Sequence, residues 1–162
     1  MLGPWKPVIE SWLEADKHAP RKQDALLALT AARKEARATN RRVWIVYGGP
    51  RCGPCFRLAR WMDDQRVTLA KDYVVLKVMA GVDEHVVEVI DPLPRKEQSI
   101  PWHAITEPDG KVLVTSEGPQ GNIGAPGTVE SLRHFRHMLD RTIQQLAPED
   151  VDRLMQSLSS DP

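Results

Sequence analysis

The chain has 162 residues, 41% of them hydrophobic and 27% charged, the make-up of one globular domain with a core of its own. Lysine plus arginine equals aspartate plus glutamate at 22 each, so no net basic field exists to gather nucleic acid or an anionic membrane surface. No apolar run reaches the roughly 18 residues of a membrane-spanning helix, and two cysteines cannot staple a multi-bridge scaffold.

The first segment, "WKPVIESWL", places Trp5, Ile9, Trp12 and Leu13 at helical spacing, as a short element docking on the domain. No basic segment followed by an apolar block opens the chain, so it does not read as a signal peptide. A native start at Met1 places the protein in the cytoplasm, whereas a leader removed ahead of it places it outside. From Asp24 to Thr39 a helix is expected, with Ala25, Leu26, Leu29, Ala32, Arg33 and Ala36 facing inward.

"RRVWIVYGG" reads as a buried strand, β-branched and aromatic, closed by Gly48-Gly49-Pro50. Helical spacing returns after Pro54 through Phe56, Leu58, Ala59 and Met62, and "YVVLKVM" is a second buried strand. Strand, helix, strand in this order implies a parallel pair joined by a crossover. "DEHVVEVI" is a candidate helix and "DPLPRKEQS" a connecting loop.

"HAIT" and "KVLVTS" flank Pro108-Asp109-Gly110 and should form a β-hairpin. "EGPQGNIGAPG" reads as a glycine-rich solvent loop; its glycines at 118, 121, 124 and 127 are too few for collagen-like structure and match no phosphate-loop pattern. Thr128 to Gln145 is expected as a long helix, with Val129, Leu132, Phe135, Met138, Leu139 and Ile143 on one face. A last helix should start near Pro148 and carry Val151, Leu154, Met155 and Leu158. The resulting fold class is α/β, a mixed β-sheet flanked by helices.

Cys52 and Cys55 enclose Gly53-Pro54 where the first strand gives way to a helix. A cysteine attacks only as thiolate, and a free pKa of about 8.5 leaves little thiolate at neutral pH. The unpaired N–H groups and positive dipole end of a helix start favour the thiolate of Cys52, each pKa unit being worth about 1.4 kcal/mol. Cys55, three residues on, lies on the same helical face and can reach the sulfur of Cys52. Gly53 removes bulk before an incoming disulfide, and Pro54 loses no N–H partner in a first turn. Two other readings stand beside a redox pair: two buried structural thiols, or half of a zinc site completed by His85 or His103, whose spacing fits no compact metal pattern.

The C-G-P-C motif after "VWIVYGG", with Ile100-Pro101 ahead of the hairpin, resembles the thioredoxin family. The stretches "ALLALTAARKEARATNRRVWIVYGG" and "IPWHAITEPDGKVL" are similar to bacterial thioredoxin-like proteins of the disulfide-isomerase-related group. The resemblance implies a thioredoxin-like fold over 23–145, an N-terminal extension over 1–22 and a C-terminal helix or tail over 146–162. Cys52 would attack and Cys55 resolve, with no metal or organic cofactor. Ile100-Pro101 would form a cis-proline loop facing the cysteines, and Arg51, Gly53, Pro54, Ile100, Pro101 and Trp102 would rim a substrate groove. Implied partners are a disulfide-containing protein substrate and an upstream electron-donor reductase, with the chain itself a monomer.

Two departures from the family stand out. Thioredoxins carry a buried aspartate six residues before the attacking cysteine, where this chain has Val46. Glu107, His103 or water would then take the proton of Cys55. The tryptophan common just before the motif is Arg51 here, a cation that favours thiolate and could select acidic substrates. The resulting expectation is a protein-disulfide oxidoreductase, on the reducing side; the alternative is a thioredoxin-fold peptide-binding module with little redox turnover. His134 and His137, at i and i+3, read as a solvated helix edge, and Trp44 as core.

Overall fold

In the computed structural model residues 23–159 are described; the docking element expected at Trp5–Leu13 lies outside them. Helix α1 spans Ala25–Thr39 because both of its ends are chemically satisfied. Asp24 is its N-cap, with Oδ1 accepting from the N–H groups of Leu26 at 3.0 Å and Leu27 at 3.1 Å. Asn40 closes it in the left-handed conformation (φ 52°), returning its N–H to the Ala36 carbonyl. Ala25, Leu29, Ala32 and Ala36 are buried, a narrow line of small residues that brings the helix close to the sheet. Leu26, expected on that line, is 41% exposed; it stands about 100° around the helix from Ala25.

Strand β1 (Arg42–Gly48) is followed by helix α2 (Gly53–Asp64), the short α3 (Arg66–Leu69) and strand β2 (Tyr73–Met79). Helix α4 (Val86–Ile90), strands β3 (Trp102–Thr106) and β4 (Val112–Thr115), and the two-residue strands β5 (Glu117–Gly118) and β6 (Gly121–Asn122) come next. Helices α5 (Val129–Thr142) and α6 (Pro148–Ser159) complete the order. The main sheet runs β2-β1-β3-β4, with β1 parallel to β2 and the other pairs antiparallel. The expected parallel pair and hairpin are both present, and the hairpin closes through Gly110 at φ 100°.

The period of two along β1 divides the core. Trp44 and Val46 point to one face and pack with Leu58, Trp61, Phe135 and Leu154 from α2, α5 and α6. Val43 and Ile45 point to the other and pack with Leu29, Ala36, Val89 and Ile90 from α1 and α4. Helix α6 is thereby built into the larger core cluster through Val151, Leu154 and Leu158.

Two sequence expectations change here. The long helix ends at Thr142 and not at Gln145, because the buried Asp72 carboxylate takes the N–H groups of Gln144, Gln145 and Leu146 at 2.9–3.1 Å. Those groups therefore turn toward an anion and leave the helical ladder; at the other end Val129 is 67% exposed. The "EGPQGN" stretch is not a solvent loop but a small hairpin in which Gly118 pairs with Gly121. Gly121 (φ 102°) lies so close to Glu97 that a Cβ would meet its Oε1 at 2.7 Å, so the glycine serves both the turn and the packing.

Candidate redox site

β1 delivers the chain to the C-terminal edge of the sheet, and Gly48–Arg51 turn it into α2. At Gly49 the backbone passes Ile100 so closely that a Cβ would lie 3.1 Å from Cδ1, which holds the turn against the segment before β3. Cys52 is the N-cap of α2, extended at φ −114° and ψ 105°. Its Sγ accepts the N–H of Cys55 at 3.2 Å, occupying the place that a Ser or Asp oxygen fills in ordinary caps. Pro54, in the first turn, forfeits no backbone bond.

The two cysteines form a disulfide, with Cα atoms 5.2 Å apart, and no free cysteine remains. Cys52 is half-buried and Cys55 only 3% exposed, so the first sulfur is the one that solvent and a substrate can reach. Gly53, Pro54 and Arg51 are exposed beside it.

The opposite wall is the segment Ser99–Pro101. The Ile100–Pro101 peptide is cis, and the Ile100 carbonyl oxygen lies 3.8 Å from Cys52 Sγ. Asn122 holds this segment: its Nδ2 donates to the Ser99 carbonyl at 3.1 Å, to Ser99 Oγ at 3.0 Å and to the Pro101 carbonyl at 3.0 Å. Gly124 (φ 58°) comes against Pro101, where a Cβ on the glycine would meet Cδ at 3.6 Å. No sequence motif marks Asn122 or Gly124 as part of this wall. Their only local signal is the glycine clustering, since their contacts span more than twenty residues of chain.

Trp102 departs from its expected place on the rim. It pairs with Tyr47 across the β1–β3 ladder and is 0% exposed, with Nε1 donating to Glu117 Oε2 at 3.0 Å. The indole is a sheet residue with its polar atom satisfied, out of reach of a substrate. Pro101 is buried and Ile100 half-buried, so this wall offers backbone and the isoleucine side chain.

Beneath α2, Val46 sits in a row between Lys77 on β2 and His103 on β3. His103 is fully buried; Trp44 Nε1 donates to its Nδ1 at 3.1 Å, and Nε2 lies 3.1 Å from the Gly124 carbonyl oxygen. An indole N–H only donates, so Nδ1 is the acceptor and Nε2 carries the proton. Burial pushes the pKa of this imidazole down to about 4. With both nitrogens engaged, His103 has no site for the proton of Cys55.

Glu107 is also excluded as that acceptor. Its Oε1 pairs with Arg42 at 3.1 Å, at the start of β1 and roughly 20 Å along the strand from the edge that carries the cysteines. Lys77 is the other ladder neighbour of Val46: burial holds its pKa below the usual lysine range, opposed by the Asp63 charge on α2. Asp63 Oδ2 is itself buried without a hydrogen-bond partner.

Among the described residues, the one group of three or more metal-capable side chains within 4.8 Å is Asp24, Glu84 and His85, and it includes neither cysteine. His85 Nδ1 pairs with Asp24 at 3.0 Å, which raises the histidine pKa and, with the two backbone N–H bonds at the cap, lowers that of Asp24. His134 bonds the Thr115 carbonyl through Nε2 at 2.8 Å, with the His137 ring 5.8 Å from its own.

A sequence family described as thioredoxin-like matches residues 24–108. No curated protein matches the chain. Among solved structures, the crystal structure of a disulphide isomerase from Xylella fastidiosa Temecula1 aligns with a TM-score of 0.51 at 18% identity, covering 86% of this chain and 95% of that one. A thioredoxin-fold protein from Helicobacter pylori aligns with a TM-score of 0.47 at 12% identity, covering 74% of this chain and 83% of that one. The first likeness is one of fold.

Proposed function

The chain belongs to the thioredoxin-like family, and on that premise we propose that it is a thiol–disulfide oxidoreductase that reduces or isomerises protein disulfides at Cys52 and Cys55. The observation that carries this reading is the Cys52–Cys55 disulfide at the N-terminus of a 12-residue helix, with the outer sulfur accessible and the inner one buried.

In the reduced protein the Cys52 thiolate attacks one sulfur of the substrate disulfide. That S–S bond breaks, a mixed disulfide forms, and the departing substrate thiolate takes up a proton. Cys55 then loses its proton and attacks Cys52 Sγ, releasing the second substrate thiol and leaving the Cys52–Cys55 bond. An external dithiol donor, the role of an upstream reductase, returns two electrons and restores the pair.

The N–H of Cys55 and the helix N-terminus stabilise the Cys52 thiolate, and Arg51 adds a positive charge beside it. With valine at 46, the Lys77 cation on the face under α2 favours the Cys55 thiolate as its proton leaves for water. Arg51, Gly53, Pro54, Ile100 and the backbone at Pro101 receive an extended substrate segment.

Insulin reduction with dithiothreitol as donor tests the reading. Cys52→Ser should abolish turnover, and Cys55→Ser should trap a mixed disulfide visible on a non-reducing gel; full activity in the first variant refutes it. A second reading, a peptide-binding module that seldom cycles, draws on Val46 and the neutral His103 beneath the helix. The absorbance of the Cys52 thiolate against pH separates the two: a midpoint near 7 or below marks the enzyme, one near the free value of about 8.5 the module.

A further inference from the structure

Two exposed arginines flank the Cys52–Cys55 pair. Arg51 immediately precedes Cys52, and Arg57 lies one turn beyond Pro54 on the exposed side of α2. Arg57 also shares the wall of a small cavity with Ala125, Pro126 and Gly127, the loop that follows the Gly124–Pro101 contact. The two guanidinium groups therefore stand at two parts of the rim, and among the described residues neither has a hydrogen-bond or ion-pair partner.

Among the described residues no carboxylate forms an ion pair with either arginine; the acids on the opposite wall keep their charge but are held in hydrogen bonds within the fold. The next acids on α2, Asp63 and Asp64, lie about 9–10 Å down the helix axis from Arg57. On the opposite wall Glu97 accepts the Asn122 N–H at 2.8 Å. Glu117 Oε2 accepts from the Lys96 N–H at 2.9 Å and the Trp102 indole at 3.0 Å. Glu84 is bridged to Asp24 ahead of α1, and Glu88 lies on α4, whose Val89 and Ile90 pack on the other face of the sheet. A peptide laid across the groove thus brings the residues flanking its disulfide within a Debye length, about 10 Å at 0.1 M salt, of two cations that have no ion-pair partner among the described residues.

We propose that this rim selects protein disulfides flanked by aspartate or glutamate; the inference rests on the oxidoreductase reading and names its substrate class. Arginine suits the task because its planar fork pairs with a carboxylate through two N–H groups and never deprotonates at working pH. Cationic flanks would instead meet like charge at the moment the substrate sulfur approaches Cys52, where repulsion slows encounter.

The test uses the full chain, dithiothreitol as electron donor, and two synthetic peptides with the same disulfide loop, one with glutamates beside the cysteines and one with lysines. The acidic peptide should show a kcat/KM about tenfold or more above the basic one at low ionic strength, a ratio within the range of electrostatic steering. That ratio should collapse toward one at about 0.5 M salt, where the Debye length is about 4 Å. Arg57→Glu alone should shrink it, and Arg51→Glu with Arg57→Glu should invert it; the ratio is the readout because the loss of Arg51 also weakens the Cys52 thiolate toward both peptides. Equal rates at low salt, or a ratio indifferent to salt and to both substitutions, overturn the proposal while leaving the oxidoreductase reading intact. Reduction of neither peptide overturns both.

Discussion

Replacing His103 tests how the core under the site is wired. Its ring is 0% exposed, its Nδ1 is committed to the Trp44 indole and its Nε2–H to the Gly124 carbonyl. A second proton would have to enter at Nδ1, break the Trp44 bond and place a charge among apolar groups, and burial accordingly holds the pKa at about 4 against an ordinary 6.5. Between those two values the unfolded chain binds a proton that the folded chain does not. The contribution is therefore complete above about pH 6.5 and is lost as the pH falls toward 4. At about 1.4 kcal/mol per pKa unit, the loss on going from neutral pH to pH 4 is about 3 kcal/mol. Urea unfolding of the oxidised protein at both pH values, for wild type and His103→Gln, measures it. Glutamine offers an NH2 group to donate and a carbonyl oxygen to accept but does not titrate. Wild type should lose about 3 kcal/mol more than the variant, because carboxylates common to both cancel in the difference. Equal losses would show that His103 titrates alike in both states and would refute the buried, neutral assignment.

Asp72→Ala removes the acceptor of three backbone N–H groups at 144–146 and should lower stability by about 1–3 kcal/mol, the cost of stranding the buried Leu146 N–H, since the exposed Gln144 and Gln145 can turn theirs to water; an unchanged urea midpoint would count against the assignment. In proton NMR the His85 ring should titrate above its ordinary 6.5, through its bond to Asp24, and fall back toward that value in Asp24→Asn. What His85 contributes to stability is present below pH 6.5 and disappears as pH rises through its raised pKa, so this pair and His103 depend on pH in opposite directions. Lys77→Met should leave the attack of Cys52 nearly intact and slow resolution by Cys55, so that quenched-flow samples accumulate mixed disulfide; a slowed first step with normal resolution would contradict the role given to Lys77.

Much of this arrangement is legible in local patterns. The run Val43–Tyr47 had to be a buried strand, the C-x-x-C had to fall at a helix start, and Pro108-Asp109-Gly110 had to turn a hairpin. Each is set by side-chain period, by backbone conformations open to proline and glycine, or by unpaired N–H groups at a helix end. The same locality puts Cys52 outermost and Cys55 one turn in, without knowledge of what faces them.

Everything that depends on which residue stands across a ladder had to wait for the tertiary structure. Trp102, next to Pro101 in sequence, goes inside because its partner is Tyr47, and Glu107 is carried to the far end of the sheet by the antiparallel run of β3. His103 becomes a neutral core residue because Trp44 and Gly124 arrive on either side of its ring. The glycine-rich stretch becomes the clamp of the Pro101 wall because Asn122 reaches back to Ser99 and Pro101. The sequence by itself determined where the disulfide sits and on which element; strand register and long-range hydrogen bonding, which no local pattern encodes, decided which side chains surround it and which of them can ionise.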